Sequence, residues 1–215
     1  MAPRMLVAGL LLLPVAFALR AGSPAVGVEA APAEPVAPVA PVVVQDYSSR
    51  RGVPDWEVDP EFSQDVFTFA RVRYSGWGRS RWNRRGDWAT DWPDSDLNFS
   101  FRLQQLTSLE VNPDGVVVDL TDPGLFDYPF LYMIEPGQLL FSGEEVVALR
   151  RYCLNGGFLM VDDFWDDDEW ENFHTQIRRV FPDRPVFDVP LEHEIFHIVY
   201  DLKEKPQIPS IGSAQ

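Results

Sequence analysis

The sequence predicts an α/β domain: a mainly parallel sheet with helices on both of its faces. Three observations carry that expectation. Short apolar runs of strand length alternate with stretches of helical periodicity, in the order strand, helix, strand, strand, helix, strand, helix. The central runs, residues 116–120 (VVVDL), 130–134 (FLYMI) and 158–161 (FLMV), are too continuously apolar to face water on either side. The helical stretches between them each carry one apolar stripe, as helices layered on a sheet do.

The first strand spans residues 66–74 (VFTFARVRY), whose alternation sets Arg71 and Arg73 on the face opposite Val72 and Tyr74. A long loop follows over residues 75–94, holding Trp77, Trp82, Trp88 and Trp92 among Arg79, Arg81, Arg84 and Arg85. Loops of that length are usually functional or disordered. Asp94 or Ser95 can cap a helix over residues 97–109, where Phe99, Leu103 and Leu106 share a face. Residues 112–115 (NPDG) turn the chain into the 116–120 strand, and 130–134 is the next. Ser142 and Glu145 have capping-box spacing, so a helix starts there. Val146, Leu149, Tyr152 and Cys153 form its stripe, and Gly156 with Gly157 end it by taking positive φ. The 158–161 strand runs into Asp162 and Asp163. Asp166, Asp167, Asp168 and Glu169 stand where negative charge stabilises a helix N-terminus. Trp170, Phe173, Ile177 and Val180 then repeat at helical spacing until Phe181 and Pro182 stop the helix.

The chain has 215 residues, enough for one domain. Residues 1–21, with Arg4 before an apolar run and Ala16 and Ala18 as small cleavage-site residues, read as a signal peptide or an N-terminal membrane anchor. Residues 22–54 are an Ala/Pro-rich linker, kept extended by Pro24, Pro32, Pro35, Pro38 and Pro41, and residues 55–215 are the α/β domain. The expected location is the periplasm or cell envelope, with membrane association through the N-terminus. A net charge of -15, from 18 basic and 33 acidic residues, argues against nucleic acid as a partner. A single cysteine excludes an internal disulfide and a Cys-based structural zinc site; Cys153, on an apolar stripe, reads as a structural thiol.

Parallel sheets bind ligands outside the carboxyl ends of their strands. Three segments should reach that edge: Tyr74 with the Trp/Arg loop, residues 134–137 (IEPG), and Asp162 with Asp163. Clustered carboxylates at a strand end hold a hard cation or raise one another's pKa, which makes Asp162 and Asp163 candidates for a divalent cation or a general base. Trp88 and Asp91 of the loop, with Arg73 at the first strand's end, combine stacking surface, carboxylate and cation as carbohydrate and anion sites do; an equal alternative is a folded-back loop whose tryptophans plug the domain's own core. Residues 193–197 (HEIFH) match the zinc-binding HExxH string. Pro190 and the β-branched and aromatic neighbours favour a turn followed by a strand over the helix that string needs, so His193 and His197 enter as assisting groups. Two functions fit. The first is a binding or scaffold module without a cofactor, for a polar or carbohydrate ligand or an envelope protein. The alternative is a metal- or carboxylate-dependent hydrolase using Asp162 and Asp163 with His193 and His197.

Several strings together resemble one bacterial family, that of domain of unknown function 4159: residues 69–74 (FARVRY), 88–94 (WATDWPD), 96–100 (DLNFS), 126–133 (FDYPFLYM), 156–165 (GGFLMVDDFW) and 193–197 (HEIFH). The resemblance implies an envelope protein, sometimes joined to larger membrane proteins, and no particular activity. It implies a flavodoxin-like fold, or one similar to class I glutamine amidotransferases and trehalose-utilisation-like proteins. Asp162 or Asp163 stands at the strand end where a glutaminase carries its cysteine, so the resemblance extends to no glutaminase activity. The family domain also continues some tens of residues past the string at residues 206–212 (PQIPSIG), which implies a C-terminally truncated member.

Overall fold

The computed structural model describes residues 50, 52–62, 65–76 and 87–205. The expected signal or anchor, the linker up to residue 49, the tryptophans and arginines of residues 77–86, and the 206–212 string lie outside the described residues. Among the described residues no helix is long and apolar enough to cross a membrane.

Seven elements follow in the expected order: β1 (Ala70–Arg73), α1 (Asp94–Leu106), β2 (Val116–Asp119), β3 (Phe130–Ile134), α2 (Gly143–Leu154), β4 (Phe158–Asp162) and α3 (Asp166–Val180). The strands form one parallel sheet in the order β2-β1-β3-β4. From β2 the chain passes β1 and adds β3 on its far side, so the strand order reverses between β1 and β3. Connections diverge at such a point and leave a crevice at the carboxyl edge.

Strand alternation sorts the core into two layers. Ala70, Val72, Val116, Val118, Leu131 and Met133 pack with Leu149 and Tyr152 of α2 and with Phe173, Ile177 and Val180 of α3. Phe69, Tyr132 and Ile134 belong to the other face. There Phe99 of α1 rests on Phe69 and Phe130, with ring centroids 5.1 and 5.7 Å apart. Helices therefore cover both faces, and the fold is α/β and flavodoxin-like.

Local departures have physical causes. β1 pairs over only Ala70–Arg73, with an isolated bridge from Phe67 to Val111, rather than over 66–74. α1 starts at Asp94 and buries Asp96, Leu97 and Ser100, whereas Phe99 and Leu106 are 37% and 74% exposed. The reason is Arg71, which points into the protein and is completely buried. An ionised guanidinium in the interior needs a carboxylate, so the helix turns Asp96 inward, and the Ser95 hydroxyl goes to Arg71 instead of capping the helix.

The capping box on α2 is formed. The Ser142 hydroxyl accepts from the Glu145 N–H at 3.1 Å and the Glu145 carboxylate accepts from the Ser142 N–H at 2.7 Å. Ser142→Ala should cost about 1 kcal/mol, seen as a lower urea midpoint with an unchanged slope. Gly156 takes the left-handed backbone expected of both glycines, with φ 97°. Gly157 does not; the Tyr152 ring requires it to be small.

Candidate functional site at the carboxyl edge of the sheet

Beyond β1 the chain crosses onto the end of β3. The Tyr74 hydroxyl lies 2.8 Å from the carbonyl oxygen of Ile134 and 2.6 Å from that of Glu135, donating to this pair, and the Leu140 N–H donates to Ser75 at 2.9 Å. Burial raises the Tyr74 phenol well above its ordinary range, and the nearby Asp87, Glu135 and Glu169 carboxylates raise it further. Tyr74 is thus a protonated donor that holds the β3 terminus in place.

Arg71 fastens the other side of the crevice. Its Nε donates to Asp96 at 3.0 Å, and its Nη2 donates to Asp96 at 2.5 Å and to the Ser95 hydroxyl at 2.6 Å. Its Nη1 donates to the carbonyls of Trp88 and Thr90 at 2.9 and 3.1 Å, and the guanidinium lies 5.1 Å from the centre of the Tyr132 ring. A buried cation therefore ties residues 88–90 to the sheet. The 3-10 turn Asp87–Ala89 reaches both β1 and β3, and the Thr90 side chain lies close enough to the Glu135 carboxylate to favour its charged form.

The result is a rim of Asp87, Thr90, Glu135, Asp163 and Glu169. Glu135 directly follows β3 in a left-handed conformation, φ 47° and ψ 50°, and Asp163 directly follows β4 with φ 58°. Side chains seldom adopt that backbone, and residues held in it concentrate at functional sites. Burial raises the Glu135 carboxyl above the usual range; Asp163, Asp87 and Glu169 add to the rise, and Thr90 opposes it. Burial also raises Asp87. Glu169 accepts the Trp165 N–H at 2.6 Å and packs on Gly137, where a Cβ would lie 2.6 Å from the Glu169 side chain. Asp163 accepts the Trp165 indole N–H at 2.6 Å. Trp88 and Trp165 thus stand next to rim residues.

Of the sequence candidates, Asp163 belongs to this rim and Trp88 adjoins it, half-buried against the α2/α3 layer. Asp162 turns to the α1 face, where it accepts from the Tyr132 hydroxyl at 3.2 Å. Asp91 is exposed, has φ 55°, and accepts the Ser95 N–H at 2.9 Å as the chain enters α1. Arg73 is engaged in a two-pronged ion pair with Asp119 of β2, through Nε at 2.7 Å and through Nη2. His193 accepts the Ile195 N–H at 3.2 Å and caps the 3-10 turn Glu194–Phe196. Both ring nitrogens of His197 are occupied, Nδ1 by Asp201 at 2.7 Å and Nε2 by the Leu191 carbonyl at 2.8 Å. The histidine turn is as expected, but no strand follows it: residues 198–200 are exposed and outside any ladder. Among the described residues no three His, Cys, Asp or Glu side chains are placed to hold a metal ion. The Cys153 thiol, pushed up to about 11 by burial, stays protonated.

Sequence reasoning did not single out Glu135, Asp87, Thr90 or Glu169. Glu135 had a signal, being the first polar residue after an apolar strand in a segment expected at this edge. Glu169 stood in the acidic run read as the start of a helix, whereas Asp87 and Thr90 had no signal, because their places depend on Arg71.

No curated protein matches the chain. A family described as "Domain of unknown function (DUF4159)" matches residues 68–215, a span that holds all four strands and the whole rim, and the chain belongs to that family.

Proposed function

We propose that the chain is an exported or membrane-tethered binding module of the cell envelope that holds a hydroxyl-rich ligand of the carbohydrate class in the crevice between β1 and β3. The observation that carries this reading is Glu135, a left-handed residue at the end of a central strand whose carboxylate meets Thr90 across the strand switch. Carboxylates accept hydrogen bonds from sugar hydroxyls, and indole faces such as those of Trp88 and Trp165 pack on sugar C–H surfaces. The positive start, apolar run and Ala/Pro-rich linker of residues 1–54 support the envelope location. Kinship with class I glutamine amidotransferases is part of the same proposal, supported by the parallel sheet with helices on both faces. With Glu135 after β3 and Asp163 after β4, neither strand end offers a thiol, so the reading includes no glutaminase activity.

Calorimetric titration with N-acetylglucosamine oligomers tests the proposal. Glu135→Gln, which keeps the shape and removes the charge, should weaken binding about tenfold, the loss of one charge-assisted hydrogen bond. Equal affinity in parent and variant, or no binding by the parent, would sink this reading.

A second reading, carboxylate-dependent hydrolysis, is favoured by the raised Glu135 carboxyl, which suits proton transfer. The same shift predicts a pH effect. A carboxyl raised by folding contributes stability below its unfolded value of about 4.3, and that contribution is lost as pH rises through the folded value. Thermal melts from pH 4 upward should therefore show a smaller decline for Glu135→Gln than for the parent. An identical decline would mean that Glu135 titrates normally.

A further inference from the structure

We propose that two copies of this chain associate by strand addition, the segment at residues 198–202 of one copy pairing in parallel with the open edge of β4 in the other. Two exposed features of one chain fit each other, although the pairing must first open the segment's own turn, in which the Leu202 N–H donates to the Phe196 and Tyr200 carbonyls and Lys203 pairs with Asp201. β4 ends the sheet, with β3 on one side and no strand on the other among the described residues. Its sequence, FLMVD, contains no lysine or proline to blunt the edge, and Met160 at its middle is 36% exposed. The opposite edge strand, β2, is almost wholly buried. Meanwhile Ile198, Val199 and Tyr200, a β-branched and aromatic run, are 73%, 79% and 72% exposed and belong to no ladder.

Side-chain alternation and charge select the register. Setting Ile198 beside Phe158 in parallel places Tyr200 beside Met160 and Leu202 beside Asp162. Ile198 and Tyr200 then extend the row of Phe99, Phe130 and Phe158, whose successive rings are stacked 5.7 Å apart. Val199 falls beside Leu159, on the face of the α2/α3 layer. Lys203 and Lys205, the only lysines in the chain, arrive beside Asp163 and the acidic first turn of α3. An antiparallel alignment would carry both lysines toward the end of α2, which holds Arg150 and Arg151. Charge complementarity thus favours the parallel arrangement. Among the described residues each copy has one exposed edge, β4, and one such segment, so the exchange is reciprocal and closes on a dimer if the two contacts form together.

Position-specific disulfide formation in the full chain tests this, in a Cys153→Ser background. A chain with Asp162→Cys is mixed with one carrying Leu202→Cys, the parallel partner, or Ile198→Cys, the antiparallel partner, and oxidised mildly. The expected result is a species of twice the chain mass in the first mixture, at several times the yield of the second. Adding Val199→Asp to the Leu202→Cys chain should abolish it while leaving the melting temperature at high dilution, where the parent is monomeric, unchanged, since Val199 is exposed. Lys203→Glu with Lys205→Glu should lower the yield several-fold. Equal yields in the two mixtures, a higher yield with Ile198→Cys, or no cross-linked species would overturn the proposal. So would a disulfide confined to single chains bearing both Asp162→Cys and Leu202→Cys, which would make the segment a partner of its own β4.

Discussion

Arg71→Met should destabilise the fold by about 3–5 kcal/mol, the usual cost of removing one partner from a buried ion pair. The loss has a specific origin. Both side chains of the Arg71–Asp96 pair are fully shielded from solvent, and burial already raises the Asp96 carboxyl despite the hydrogen bonds from Arg71 and Ser95. Without the guanidinium, Asp96 must take up a proton or draw water inward, and the carbonyls of Trp88 and Thr90 lose their donor. Replacing both partners by apolar residues, Arg71→Met with Asp96→Leu, should recover much of the stability, because no charge remains to be desolvated. It should not recover ligand binding, since residues 88–90 stay unfastened and Thr90 no longer meets Glu135. Urea unfolding of the two variants, alongside titration with the saccharide, separates these effects. A double variant that binds like the parent would remove Arg71 from the site's support.

Gly157→Ala should cost about 1–3 kcal/mol through overpacking, and more than Gly156→Ala, although Gly156 is the glycine in the left-handed region. An added Cβ at Gly157 would lie 2.3 Å from the Tyr152 ring, while one at Gly156 would meet nothing within 4 Å. The ring cannot retreat. Tyr152 is 2% exposed, and its hydroxyl donates to the Tyr128 carbonyl at 2.8 Å, which pins α2 to the chain entering β3. At Gly156 the penalty is the left-handed backbone alone, about 1 kcal/mol. If Tyr152→Leu relieves the cost of Gly157→Ala in a double-mutant cycle, the ring contact is the cause. Full additivity would exclude it.

These two glycines show what was legible in the sequence. A pair of glycines after an apolar stripe signals a helix end, and α2 ends there. Which glycine answers to backbone and which to packing depends on where the Tyr152 ring lies, and no local pattern encodes that. The strands and helices were readable because their periodicity is local and their caps lie in adjacent residues. α1 was misread in its buried face for the opposite reason. The apolar spacing of Phe99, Leu103 and Leu106 is a local signal, yet the helix is turned by Arg71, which lies 25 positions before Asp96. The candidate site divides the same way. Asp163 was found because it closes an apolar strand, and Glu135 stood in an equally visible place. Asp87 and Thr90 reach the rim only through the Arg71 fastening.

The proposed ligand site is the carboxyl edge between β1 and β3. Backbone and indole N–H shift mapping of the full chain during titration with N-acetylglucosamine oligomers tests this most directly. Perturbations should concentrate at Asp87, Thr90, Glu135, Asp163 and the Trp165 indole, with the segment at residues 193–203 unchanged. Perturbations confined to His193 and His197, or a spectrum unchanged at saturating saccharide, would contradict that placement.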